Sequence, residues 1–305
     1  MTAPVTNRHY DRPPELFELF LDRRMKYTSG LYTEGVETLD EAQEAKLGFI
    51  ARLLGLRGGE RVLDIGSGWG SMVLFLAADL GCQVTAVTPS PRQAAFIRGR
   101  AEAAGVAGRV TVEVTPFQRA VLPEGVFDAV TAVGVLEHLP DHTQALTSIR
   151  RLLKHRGRLY ASSSCYRSAA DKAEYEPRPA SEHAVEVFGY TVMPTLSGLV
   201  ASFEDARLTL SSVTDLTADY RRTITAWQQR IAARRERMEL IEPGFADEIS
   251  RYLTTANASW GYTAKHYALS AVKGRRGELL LPEEPETGEP ADAGAVGGVA
   301  EGPPG

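Results

Sequence analysis

Two hydrophobic patterns alternate along this chain. In TLDEAQEAKLGFIARLLGL, from Thr38 to Leu56, the apolar residues Leu39, Ala42, Leu47, Ile50, Leu53 and Leu54 recur on one helical face, and Thr38 with Glu41 has capping-box spacing. The second pattern is the short continuous apolar run, at Val62–Ile65, Gln83–Val87, Val110–Val114, Ala129–Val133 and Leu159–Ser162. Such runs read as strands covered on both faces, and the helical stretches between them predict an α/β fold, a mostly parallel sheet with helices on either side. Further helices are expected at Thr195–Ala206, Thr223–Met238 and Phe245–Tyr262, with strands around Leu208–Val213 and Tyr267–Val272. Ahead of them all, YDRPPELFELF from Tyr10 to Phe20 predicts a short helix after a Pro-Pro start.

Three stretches break these patterns. MKYTSGLYTEG, from Met25 to Gly35, is irregular and aromatic, which suits either a lid over a site or simple packing. Ser163 to Pro194 interrupts the sheet with little periodicity, and a long insertion there reads as a substrate cap. Glu278 to Gly305, rich in Gly, Pro, Ala and Glu, reads as a disordered acidic tail. The expected organisation is a lid over residues 1–36, a sheet domain over 37–273 carrying the cap at about 163–207, and the tail over 278–305.

Composition narrows the possible partners. The 305 residues are 43% hydrophobic and 24% charged with a formal net charge of -5, so nothing draws the chain as a whole to nucleic acid or an anionic membrane. No apolar span approaches the length of a membrane helix, and Met1–His9 lacks the apolar core of a secretion signal, so a cytoplasmic protein is expected. Cys82 and Cys165 have neither a disulfide framework nor metal-ligand spacing; they are expected as buried thiols, and no metal is expected.

The candidate chemistry starts in RVLDIGSGWG, where the first strand breaks into glycines. Asp64 stands near its carboxyl end, and Gly66, Gly68 and Gly70 turn the chain into a helix beginning around Ser71. Such a turn lets backbone N–H groups approach a ligand at a helix N-terminus. Dinucleotide sites usually carry G-x-G-x-x-G, but position 71 is Ser, and G-x-G-x-G after Asp-Ile is the turn of methyltransferases that use S-adenosylmethionine (SAM). The second strand ends in VTPSPRQ, where Thr88, Ser90 and Gln93 stand in place of a ribose-binding carboxylate. The fourth ends in AVGVLEHLPD, placing Glu137 and His138 on the ligand side of the sheet. Glu137 there suits a general base, a stabiliser of positive charge, or a loop anchor; His138 reads as structural.

Together these residues resemble the cyclopropane fatty acid synthase family of SAM-dependent methyltransferases, which includes the mycolic acid cyclopropane synthases. The resemblance runs from about Tyr10 to Lys273, through YDRPPELFELFLD, YTSG, TLDEAQEAKL, LDIGSGWG, TPSPRQ, GVLEH, YTVMPTLS and DYRRTITAW. It implies a seven-stranded, mostly parallel class I methyltransferase sheet with an N-terminal lid and a helical cap. It implies a SAM site made of Tyr27, Thr28, Asp64, Gly66, Ser67, Gly68, Thr88, Gln93 and Val133, with Phe117 or Gln118 near the adenine in place of the family's Trp-Glu pair. In the family a bound bicarbonate, held by Cys, Glu, His and Tyr, serves as base. Here Glu137 and Tyr220 match, whereas Ser29 stands for the Cys and Tyr160 for the His.

With two of the four groups changed, Glu137 itself is expected to be the base, helped by Tyr160 and Tyr220, with Ser29 close by. Tyr220 and Trp227 are expected to wall a lipophilic pocket. The function implied is C-methylation of an electron-rich alkene or aromatic carbon in a lipophilic small molecule of specialised metabolism. Cyclopropanation of an acyl chain, N-methylation and a non-catalytic SAM-binding scaffold are the alternatives. A homo-oligomer is compatible with an N-terminal segment that crosses to a neighbour.

Overall fold

The computed structural model describes residues 9, 11–178, 192–275, 278 and 280. Its centre is β1 (Arg61–Ile65), in which every residue after Arg61 is buried. The parallel strands β2 (Gln83–Thr88), β3 (Val110–Val114), β4 (Phe127–Val133) and β5 (Leu153–Tyr166) extend the sheet, and β6 (Thr209–Asp215) and β7 (Ala264–Val272) close its far edge. The seven-stranded order is β3-β2-β1-β4-β5-β7-β6, with β7 antiparallel to both β5 and β6. This is the class I methyltransferase topology expected from the sequence.

Successive strand residues face opposite cores, as the pleat requires. Leu63, Val130, Ala132, Leu159 and Ala161 point to α5 (His142–Leu152) and α7 (Leu196–Asp205). Their neighbours Val62, Ala129, Val133 and Tyr160 point to the face that α2 (Leu39–Leu53), α3 (Ser71–Leu74) and α4 (Pro91–Ala103) cover. The Thr38–Glu41 capping box is formed and starts α2, a contribution of about 1 kcal/mol. Both cysteines are buried free thiols.

A third core gathers α1 (Pro14–Glu18), α8 (Thr217–Ile241) and α9 (Phe245–Ser259) around Phe17, Phe20, Trp69, Trp227 and Phe245. Trp69 belongs to the glycine turn, so this aromatic cluster seats the N-terminal segment directly over it.

Several elements differ from the sequence reading. Strand β5 continues to Tyr166 because antiparallel pairing with β7 carries it past Ser162, so Ser163–Tyr166 is sheet rather than cap. The helix expected to begin around Ser71 is α-helical only over Ser71–Leu74 and widens into a π turn over Phe75–Asp79. Helix α8 begins at Thr217 rather than Thr223, with Asp215 capping the Thr217 N–H, which puts Tyr220 in its first turn. Of the expected cap, the end of β5, α6 (Ala169–Tyr175) and α7 are described, and 179–191 lies outside the described residues. Residues 1–8 and Tyr10 of the lid and all of the tail except Glu278 and Leu280 also lie outside them. No helix among the described residues is long and apolar enough to cross a membrane.

Candidate active site

Three strand ends and one strap build the site. At the end of β1 the turn is shaped by Gly66 and Gly68, both at positive φ, 68° and 53°. A Cβ on Gly66 would stand 2.4 Å from Val135 Cγ2, whereas nothing lies within 4 Å of one on Gly68, so the turn is closed on the β4 side and open above. Gly66 and Ser67 both donate backbone N–H groups to Val87 O, and the Ser67 hydroxyl donates to Asp64 O at 2.9 Å. Asp64 accepts from the Thr131 hydroxyl at 2.6 Å through Oδ1, while Oδ2 is buried without a hydrogen-bond partner. Burial raises the Asp64 pKa; the nearby Lys26 ammonium and the Thr131 bond oppose that rise.

At the end of β2 the Thr88 hydroxyl donates to Gln93 Oε1 at 2.7 Å, and Ser90 caps α4. Asp11 Oδ1 of the N-terminal segment accepts from the Ser90 hydroxyl at 2.8 Å. Past β3, Phe117 is buried in the sheet core and Gln118 is exposed.

The strap is Tyr27–Tyr32. Gln43 donates its side-chain amide to Thr28 O at 2.8 Å, and the buried Lys46 ammonium donates to the Thr28 hydroxyl at 2.8 Å and to Ser29 O. Thr223 of α8 accepts from the Gly30 N–H at 2.8 Å, and Asp219 from the Tyr32 N–H at 2.6 Å. The Ser29 hydroxyl is turned back onto Gly30 O. Thr28 lies against Gly134, just past Val133 at the end of β4, and Tyr27 packs among His9, Phe17, Phe20 and Trp227. The strap thus covers the turn while also packing into the third core. Burial lowers the Lys46 pKa well below that of an ordinary lysine, with the nearby Lys26 ammonium adding to the effect.

Glu137 sits in the short 3-10 turn Leu136–His138 that follows β4, anchored by the fully buried Leu136. Only 7% exposed, its Oε1 accepts from Ser164 twice, from the backbone N–H at 3.3 Å and from the hydroxyl at 3.2 Å. Oε2 has no hydrogen-bond partner. The Ser164 hydroxyl also lies 3.4 Å from Nδ1 of His266, opposite it on β7. The His266 ring meets Tyr220 edge-on at 4.8 Å, and Tyr220 stacks on Trp260 at 4.8 Å. Burial, with help from the Lys46 charge, lowers the His266 pKa to about 3. The Glu137 charge also reaches Tyr252 of α9 and Cys165, adding to the burial that raises both pKa values, the thiol's to about 12.

The sequence singled out Asp64, Gly66, Ser67 and Gly68, which the structure holds in one turn, and Thr28, which lies against Gly134 beside Val133. It missed Lys26, Lys46, Asp11, Ser164, His266 and Tyr252. Lys46 carried a weak signal, a charge at an inward position of an amphipathic helix. Tyr160 corrects the expectation that it assists Glu137. It pairs with Thr131, not with the end of β4; Ser162 takes that place opposite Val133. On the same face as Ser164 but four residues earlier, it lies about 13 Å down the strand. Its ring is buried among aliphatic side chains and its hydroxyl has no hydrogen-bond partner.

The family model of mycolic acid cyclopropane synthetase matches residues 2–267. The chain belongs to that family. A "Probable fatty acid methyltransferase" of Pseudomonas putida is 29% identical over 234 residues, 75% of this chain and 58% of that protein. An (S)-coclaurine N-methyltransferase of Papaver somniferum is 30% identical over 176 residues, 57% of this chain and 48% of that protein. The chain thus spans about half the length of these relatives. The solved structure of mycolic acid cyclopropane synthase CmaA1, complexed with SAH and CTAB, has a TM-score of 0.81 at 21% identity, covering 89% of this chain and 99% of that one. At that identity the likeness establishes the shared fold.

Proposed function

We propose that this family member is a SAM-dependent methyltransferase acting on a lipophilic small molecule, placing the methyl group on an electron-rich alkene or aromatic carbon. The observation that carries the reading is Glu137: a buried carboxylate with one oxygen fixed by Ser164 and the other without a partner, beside the Tyr220–Trp260–His266 aromatic cluster.

The cradle fits the cofactor. Asp64 Oδ2, a buried acceptor without a partner, suits the ammonium of the methionine part, and the open turn at Gly68 leaves room for the backbone of that part to lie close. Thr88 and Gln93 lie where ribose hydroxyls would be met, while Thr28 and Tyr27 cover the cradle from the strap. Ser29 and Val133 border it, and the buried Phe117 fits an apolar wall for the adenine better than the exposed Gln118. Bound there, SAM supplies an electrophilic sulfonium methyl.

The acceptor carbon that takes this methyl leaves positive charge on its neighbour, and a proton must depart. Glu137 Oε2 is placed to take it, and the faces of Tyr220 and Trp260 favour the positive charge while it lasts. Which proton departs decides the product: loss beside the new methyl gives a methylated alkene, and loss from that methyl closes a cyclopropane. Ser29, in place of the Cys that helps hold the family's bicarbonate, favours the first outcome. The same carboxylate would equally deprotonate an amine acceptor, the reading that the coclaurine relative supports.

Isotopically labelled SAM incubated with the protein and a set of unsaturated lipids, isoprenoids, heteroaromatic compounds and lipophilic amines tests the proposal. Label in a carbon-methylated product supports it. Label only in a cyclopropane or an N-methyl group replaces it with an alternative. Binding of SAM with no label in any product points to a non-catalytic scaffold.

A further inference from the structure

Glu137 alone does not explain why its carboxylate holds one orientation. Oε1 receives both of its bonds from a single residue, Ser164, and Ser164 stands on β5 opposite His266 of β7. A serine hydroxyl has one proton. An ionised Glu137 only accepts, so that proton points to Oε1, and toward His266 the Ser164 oxygen presents a lone pair. The 3.4 Å contact between Ser164 Oγ and His266 Nδ1 then requires Nδ1 to carry the proton and leaves Nε2 bare.

We propose that His266 is a positioning residue for Glu137. Its Nδ1–H orients the Ser164 hydroxyl, which fixes Oε1 and leaves Oε2 as the reacting oxygen. The ring has little freedom to do otherwise. Tyr220 meets it at 4.8 Å and Trp260 at 6.1 Å, both edge-on, and the His266 backbone N–H donates to the Thr217 hydroxyl at 3.1 Å. At 2% exposure and with a pKa near 3, the imidazole stays neutral at physiological pH, which suits a fixed donor and not a group that carries the proton away. The aromatic cluster acts on the base through the same ring, so Tyr220 is coupled to Glu137 by way of His266 and Ser164. This inference rests on the methyltransferase reading for its consequence in catalysis, but not for its hydrogen bonding.

The test is the tautomer of His266, read by nitrogen-15 NMR of the full chain labelled in histidine, with the resonance assigned by its loss in His266→Asn. The expected result is Nδ1–H in the wild-type protein, and loss of that preference in Ser164→Ala. An Nε2–H tautomer, or a His266 signal unmoved by Ser164→Ala, overturns the proposal. No acceptor is needed, so this failure and failure of the methyltransferase reading are distinguishable. With an acceptor in hand, His266→Leu is expected to lower kcat ~10- to 100-fold, as misplaced reacting groups do, with the KM for SAM little changed. His266→Asn, whose amide can donate near the Nδ1 position, should recover much of the loss. Equal kcat in wild type and His266→Leu also overturns the proposal.

Discussion

Thr28 Cγ2 stands 2.8 Å from the point that a Cβ on Gly134 would occupy. The strap over the cradle therefore lies directly on the end of β4, and it does so because position 134 has no side chain. Gly134 also has a φ of 68°, where an L side chain costs about 1–2 kcal/mol. Gly134→Ala is expected to destabilise the fold by about that amount and to weaken SAM binding several-fold by lifting Thr28. Thr28→Ser, which removes the clashing methyl, should restore part of the SAM affinity in the double variant without restoring the strain energy. Isothermal calorimetry and urea denaturation separate the two effects.

Tyr160 has a hydroxyl buried in an aliphatic core without a hydrogen-bond partner, a state that typically costs about 1–3 kcal/mol. Tyr160→Phe should therefore stabilise the protein, by ~1 kcal/mol, and leave methyl transfer within about twofold of wild type. Loss of transfer in this variant would place Tyr160 back beside Glu137.

Stability should depend on pH through two histidines. Burial holds His9 and His266 neutral, with pKa values of about 3 in place of 6.5, and the Arg12 and Lys46 charges add to the effect. Below about pH 6.5 the unfolded chain binds protons at these sites that the folded chain does not. Unfolding free energy therefore rises with pH across this window; the contribution is full above about 6.5 and is lost as pH falls toward 3. Each histidine contributes a slope of about 1.4 kcal/mol per pH unit within the window. His9 packs against Phe17, Tyr27 and Phe245, so His9→Phe keeps an aromatic ring there and should show a shallower fall in urea midpoint between about pH 7 and pH 5.

What the sequence made legible was local. The β1 run, its glycines and Asp64 lie within ten residues of one another, and the Thr38 capping box within four, so periodicity and spacing were enough to place them. The pairings that finish the site are long-range. Ser164 and His266 are 102 residues apart and meet only because β7 inserts antiparallel beside β5. Asp11 reaches Ser90 across 79 residues, and no pattern in VTPSPRQ announces it. The family resemblance alone puts Tyr160 beside Glu137; Tyr160 shares a face of β5 with Ser164, but not its depth. Depth depends on register with β4, where Tyr160 meets Thr131 and Ser162 meets Val133.

The most direct measurement compares wild type with Glu137→Gln in the labelled-SAM experiment, with SAM affinity measured on both. Gln keeps the shape of the side chain and can still accept from Ser164, but it cannot take up a proton. The expected result is equal SAM binding and a loss of transfer of about 100-fold or more, in line with removal of a general base. Equal transfer by the two proteins would contradict the role of Glu137 and, with it, the mechanism proposed for this site.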